Sequence, residues 1–360
     1  MAVIRLDITH ARGSYPVLIG AGLTRQLGRV LAEQQLTTDT LVATCPPVWR
    51  LHGDRLADVL GGHAPLLMPD GEKAKNLGTV ARLYDGMVER RLDRSALVLA
   101  FGGGVVGDTA GFAAATYLRG LRLAQVPTTL LSQVDSAIGG KVGVNLTAGK
   151  NLVGAFHAPS AVICDPEVLD TLPRREFRAG LYEAVKYGVI ASRPLFDQIG
   201  AGLPAIFRKD PEVLTSLIAD CCRIKAAVVM ADEREKGPRR ALNFGHTVGH
   251  ALEAISRYGR FLHGEAVGYG MLAAAAISWK RGVFPDQDME ALKAVIGHMG
   301  PLPSTADLKA SEALEAVMRD KKVSRGTLHF VLPSCIGATT IVSDVTTKEL
   351  KAALRTIGIR

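Results

Sequence analysis

The sequence predicts an α/β domain with a largely parallel sheet over residues 1–165, followed by a mainly α-helical domain over residues 166–360. Three observations predict it. Short β-rich runs alternate with helical segments in the first half, the pattern of a parallel sheet with crossover helices. After about residue 165 the apolar spacing turns to the helical period. A chain of 360 residues, 48% apolar but only 5% aromatic, suits two domains with aliphatic cores.

In chain order, residues 3–8 and 15–19 flank Arg12-Gly13 and predict a hairpin. Strands are predicted at 41–44, 65–68, 96–101 and 122–126, with helices near 22–34, 49–60 and 74–91. The second half reads as helices over 173–190, 210–231, 240–257, 264–282, 287–298 and 346–357, with strands only at 327–332 and 339–343.

Composition excludes several classes. No uninterrupted apolar run reaches about 18 residues, so no membrane span is expected. The start lacks the basic flank and long apolar stretch of a signal peptide, and a reducing cytoplasm is the expected location. The five cysteines are odd in number and show no CxxC spacing, which indicates neither a disulfide framework nor a cysteine zinc site. The net charge is +8, but no run of five basic residues occurs, so nucleic acid is not the expected partner. A basic pocket for a small acidic substrate fits better.

Residues 96–108 run from an apolar strand into Gly102-Gly-Gly-Val-Val-Gly-Asp108 and then a helix. Gly102, Gly104 and Gly107 satisfy GxGxxG, which serves equally as a tight turn or as a cradle for a pyrophosphate at a helix N-terminus. No acidic residue follows between Asp108 and Asp135, so this is not the first turn of an ordinary Rossmann unit. The earlier Asp70-Gly-Glu-Lys-Ala-Lys75 could hold other parts of a dinucleotide.

Residues 239–253 predict a helix from about Leu242, which places Asn243, His246 and His250 on one face. His263-Gly-Glu265 sits at a predicted helix start, and Glu183 and Lys186 are three apart on another helix. Two imidazoles and one carboxylate suit a catalytic zinc, with His246 and His250 as an alternative HxxxH pair. HExxH is absent, which disfavours a zincin-type protease. Asp135, Lys141, Lys150 and Asn151 lie in two glycine-rich stretches, and with Lys225, Arg239 and the Lys321-Lys322 pair they offer cations for phosphate and carboxylate.

Six stretches (102–120, 126–145, 149–159, 180–188, 242–253 and 263–271) together resemble the 3-dehydroquinate synthase family of sugar-phosphate cyclases. The resemblance implies an NAD- and zinc-dependent homodimer, with cobalt as an alternative metal, acting on an acidic seven-carbon sugar phosphate. It implies Glu183, His246 and His263 as metal ligands and His250 near the substrate. It implies Glu72, Lys75, Gly103, Gly104, Asp108, Thr128, Thr129, Asp135, Lys141 and Lys150 as cofactor contacts. It assigns Asp135, Lys141, Asn151, Lys186, Lys225, Arg239, Asn243 and His250 to the substrate site. Of these, Lys225 and Arg239 clamp the carboxylate, and Lys141, Asn151 and one lysine of the 321–322 pair meet the phosphate. Arg119 matches an arginine lent across the dimer. Thr44 and Cys45 stand where the family carries Asn or Asp, and Tyr182 where a small residue is frequent.

Overall fold

The structure is a computed structural model that describes residues 3–11, 13–233, 235, 237–323 and 328–360, without the side chains of 320–323. Arg12 of the predicted turn and the side chains of Lys321 and Lys322 lie outside the described residues.

Contacts divide the chain into two units, residues 1–173 with 209–233, and residues 174–208 with 234–360. The first unit is built on a seven-stranded sheet. Its strands are β1 (Ile4–His10), β2 (Gly13–Ile19), β3 (Thr40–Thr44), β4 (Leu66–Leu67), β5 (Leu97–Gly102), β6 (Arg122–Pro127) and β9 (Ala161–Cys164). The order is β1-β2-β9-β6-β5-β3-β4, and every pairing except the β1–β2 hairpin is parallel. β5 and β6 are central strands buried along almost their whole length, and β5 reads as a continuous apolar run because both faces of the sheet are covered. Helices α1 (Leu27–Glu33), α2 (Pro46–His52), α3 (Leu77–Glu89) and α4 (Gly104–Thr116) belong to this unit. Leu97, Leu99 and Phe101 of β5 enter one core and Val98 and Ala100 the other, the two-residue alternation of a strand.

A second hairpin, β7 (Lys141–Leu146) with β8 (Gly149–Phe156), lies outside the predicted strands. Its glycines disguise it. A Cβ on Gly143 would sit 2.6 Å from the Val153 carbonyl oxygen, and one on Gly154 would sit 2.4 Å from that of Val142. The two strands approach so closely there that only glycine fits.

The second unit holds α5 (Arg174–Ala191), α6 (Arg193–Phe207), α8 (His246–Ile255), α9 (His263–Lys280), α10 (Asp286–His298), α11 (Ala310–Val323) and α12 (Thr347–Thr356), with the hairpin β10 (Phe330–Cys335) and β11 (Ala338–Val342). α6 and α11 exceed the predicted helices. Pro194 is tolerated in the first turn of α6, where its missing N–H has no intrahelical partner to lose.

One expectation is corrected. The helix over 210–231, α7 (Pro211–Ala231), was assigned to the second domain but packs with the first. Lys225 Nζ donates to the backbone oxygen and Oδ1 of Asp135 at 2.6 and 2.7 Å, and the Cys222 thiol reaches the Gln133 carbonyl. Lys209 Nζ, just before the helix, caps the carbonyls of Leu169, Asp170 and Leu172. No helix among the described residues is long and apolar enough to cross a membrane.

Candidate active site

Two constellations form, one in each unit. In the second unit three helices meet through glycines. A Cβ on Gly264 of α9 would lie 1.9 Å from the Ala179 carbonyl oxygen of α5, and one on Gly270 would lie 1.7 Å from the Gly245 carbonyl oxygen before α8. The bare backbones therefore touch, and Glu183 of α5, His246 of α8 and His263 of α9 are brought to one point. Arg175 grips both oxygens of Glu265 at 2.8 and 2.7 Å, and Glu265 in turn accepts from Leu262 N, which pins the start of α9 to α5.

The predicted helix from Leu242 is corrected. Residues 238–243 form a 3-10 turn, Gly245 takes φ +81°, and α8 begins at His246. Asn243 is thus off the His246–His250 face, and its amide donates to Glu235 at 2.7 Å. The break is enforced by packing, since a Cβ on Gly245 would meet the Val267 carbonyl oxygen at 2.8 Å.

Glu183 is fully buried. Its Oε1 faces His246 Nε2 at 3.7 Å and His263 Nε2 at 3.6 Å. Lys186 Nζ lies 2.5 Å from Oε2, yet among the described residues neither carboxylate oxygen receives a well-directed hydrogen bond. A buried carboxylate left so is costly unless something else completes it. Ligands bound to zinc at 2.0–2.2 Å in tetrahedral geometry stand about 3.4 Å apart, close to these separations. Both imidazoles present Nε2 because Nδ1 is committed, in His246 to the Phe244 carbonyl and in His263 to Glu253 Oε2, each at 3.1 Å. Burial first, then Lys186 and the neighbouring imidazoles, hold the His246 imidazole well below its ordinary pKa, so it is neutral with a lone pair available. The residues fit a divalent cation. His250 is exposed and also close, the ligand nitrogens of the three histidines lying within 4.8 Å of one another. The alternative HxxxH pair is thus present in space, but the two nitrogens aimed at the buried carboxylate are those of His246 and His263. Arg239 is buried in the 3-10 turn.

In the first unit, β5 runs into Gly103, the N-cap of α4. A Cβ on Gly103 would meet Thr129 Cγ2 at 3.0 Å and one on Gly104 would meet Ser136 Oγ at 3.1 Å, so side chains there would fill the recess over the helix N-terminus. The Thr128 hydroxyl is buried beside it with no hydrogen-bond partner among the described residues. Backbone N–H groups, an orphaned hydroxyl and a bare cradle fit the pyrophosphate of a dinucleotide.

Lys75, buried, donates to Asp108 Oδ2 at 2.5 Å and Asn151 Oδ1 at 2.6 Å. Burial pushes the Asp108 carboxyl up, with Lys75 opposing. Glu72 accepts from Asn145, whose own Oδ1 takes the Asn151 N–H, and Lys150 Nζ lies 3.9 Å from Glu72. Asp135 Oδ1 pairs with Lys225 at 2.7 Å. Lys141 is exposed at the start of β7. Arg119 sits on an exposed turn in which it and Leu118 both take left-handed backbone, φ 68° and 48°.

A model of the 3-dehydroquinate synthase N-terminal region matches residues 65–179, and one of its C-terminal region matches residues 180–323. The 3-dehydroquinate synthase of Solibacter usitatus is 44% identical over 343 residues, 95% of this chain and 96% of that one. The chain belongs to the 3-dehydroquinate synthase family. Solved structures of two differently named synthases are also similar. The 2-epi-5-epi-valiolone synthase from Streptomyces hygroscopicus, with NAD+ and Zn2+ bound, matches 99% of each chain with TM-score 0.85 and 28% identity. A 2-deoxy-scyllo-inosose synthase complexed with carbaglucose-6-phosphate, NAD+ and Co2+ matches 98% of this chain and 99% of that one, with TM-score 0.85 and 27% identity.

Two acidic residues that touch candidate site residues, Glu235 at Asn243 and Glu253 at His263, are not among those the sequence pointed to. Asn243 ends a 3-10 turn and not an α-helix, so no α-helical periodicity links it to Glu235. Glu253 follows His246 by seven residues on α8, and that spacing could have revealed it.

Proposed function

We propose that the chain is a metal- and NAD-dependent 3-dehydroquinate synthase, a phosphate-eliminating carbon–oxygen lyase of the shikimate pathway. It converts 3-deoxy-D-arabino-heptulosonate 7-phosphate to 3-dehydroquinate and phosphate. The observation that carries the reading is the buried Glu183 carboxylate faced by two Nε2 atoms.

Glu183, His246 and His263 would hold zinc or cobalt. Gly103, Gly104, Asp108, Glu72, Lys75, Thr128, Thr129, Asp135, Lys141 and Lys150 would hold NAD. The metal supplies a Lewis acid for a substrate hydroxyl, and NAD supplies a hydride acceptor that is restored within each turnover.

The chain's own groups orient and neutralise. Lys225 and Arg239 would bind the carboxylate, Arg239 as a planar fork. Lys141 and Asn151 would bind the phosphate, fixing positive charge where the leaving group gathers negative charge. Lys186, Asn243, His250 and Asp135 would orient hydroxyls. The substrate's own phosphate would take up the proton released in β-elimination, after which reduction and an intramolecular aldol closure complete the ring.

The enzyme would be a homodimer, with Arg119 serving the neighbouring site. Consecutive left-handed φ values in Leu118 and Arg119 cost of order 1–3 kcal/mol each, and such strain persists only where surrounding structure holds it, as a dimer contact would. Leu152 and Phe156, exposed on β8, offer apolar surface to a second copy.

The test is phosphate release from the acidic seven-carbon sugar phosphate, with neutral sugar phosphates in parallel, with and without chelator and NAD. Release should be confined to the acidic substrate, stop with chelator and return with zinc or cobalt. Equal turnover of the neutral sugars, or net accumulation of NADH, would overturn the reading.

A further inference from the structure

We infer that Glu253 is a positioning residue for the metal centre, its carboxylate fixing the tautomer and direction of His263 and adding negative charge beside the cation. The inference rests on Glu183, His246 and His263 being the metal ligands.

Glu253 lies two helical turns after His246 on the same face of α8 and is 3% exposed. A carboxylate accepts, so the 3.1 Å contact puts the hydrogen on His263 Nδ1 and leaves the Nε2 lone pair facing Glu183. His246 reaches the same state by a different route, donating Nδ1–H to the Phe244 carbonyl. The difference follows exposure. The His246 side chain is 12% exposed and held by packing, whereas that of His263 is 33% exposed and less confined. An ionised acceptor behind His263 restores its direction and strengthens Nε2 as a donor.

Charge points the same way. Lys186 stands against Glu183, so the one carboxylate in the ligand set is already matched by an ammonium. Glu253 adds an anion behind His263. Its placement carries two electrostatic costs. A buried carboxylate must be compensated, and in the last turn of α8 it sits at the negative end of the helix dipole.

The experiment compares metal-stripped wild type with Glu253→Ala, Glu253→Gln and His246→Ala. Zinc affinity is read by competition with a chromophoric chelator, the cobalt site by its visible absorption, and folding by circular dichroism. Glu253→Ala should weaken zinc roughly 10- to 100-fold and alter the cobalt spectrum. Glu253→Gln should recover part of the loss, because its amide oxygen still accepts from Nδ1–H without the charge. If the alanine variant fails to fold, the glutamine variant decides, with weakened zinc supporting the inference and wild-type values overturning it. Wild-type affinity and spectrum in a folded Glu253→Ala overturn it directly. If His246→Ala binds zinc as well as wild type, the ligand assignment itself falls, and the inference with it.

Discussion

Replacing Gly264 by alanine tests whether bare backbone contact builds the metal site. The added Cβ would sit 1.9 Å from the Ala179 carbonyl oxygen, where ordinary contact begins near 3.4 Å. No rotamer relieves a clash with backbone, so α9 must withdraw from α5 by about 1.5 Å. Ala179 is one turn before Glu183, and Gly264 is next to His263. The Glu183–His263 separation of 3.6 Å would widen by a comparable amount. Metal–ligand distances tolerate only about 0.2 Å, so three-ligand coordination should be lost. Overpacking of this kind costs about 3 kcal/mol, which lowers the Tm of a unit this size by roughly 6–12 °C. Thermal unfolding with and without zinc, together with chelator competition, reads both effects. The metal-free variant should melt earlier, and zinc should no longer raise its Tm. A variant that melts like wild type and keeps its zinc affinity would refute the reasoning.

Gly103→Ala should weaken NAD, followed by fluorescence titration, and leave zinc affinity unchanged, since the added Cβ meets Thr129 in the first unit. Equal loss of both ligands would argue for general unfolding. Arg119→Ala and His246→Ala should each be inactive alone. Their mixture should regain about a quarter of wild-type activity, because half of randomly reassorted dimers carry one intact site. No recovery after confirmed exchange would place Arg119 in its own subunit's chemistry. Glu349 is held down to about 2 from 4.5, chiefly by the hydrogen bond from Arg281. Its contribution is therefore complete above about pH 4.5 and fades as pH falls through about 2. Because both side chains are partly exposed, that contribution is screened to about 1 kcal/mol or less. Denaturant unfolding of Glu349→Gln and wild type should differ near neutrality and converge towards pH 2; a constant gap would contradict this.

The parallel sheet was legible because strands such as Leu97–Gly102 are buried on both faces and stand out as apolar runs. β7 and β8 were hidden because Gly143 and Gly154 serve a close strand approach that looks like loop composition. The metal constellation could be read as residue types and spacing. The break at Gly245 could not, because it is imposed by the backbone of a separate helix, α9, which no local pattern places against it. The grouping of Lys225 with Asp135 in one site came from the family resemblance and not from spacing. Ninety residues separate them, and only tertiary packing joins α7 to the turn at 132–136. Glu253 was readable in principle, but a lone acid on an amphipathic helix gives no hint of being buried.

The placement of α7 means that the polypeptide passes between the two units three times, near residues 173, 208 and 233. Neither unit can be excised by one cut. A fragment ending at residue 173 would strip Lys225 from Asp135 and expose the apolar face that α7 covers. A gene divided once near residue 173 would therefore part α7 from the unit it packs with, so the first unit depends on chain encoded beyond the second unit's opening helices.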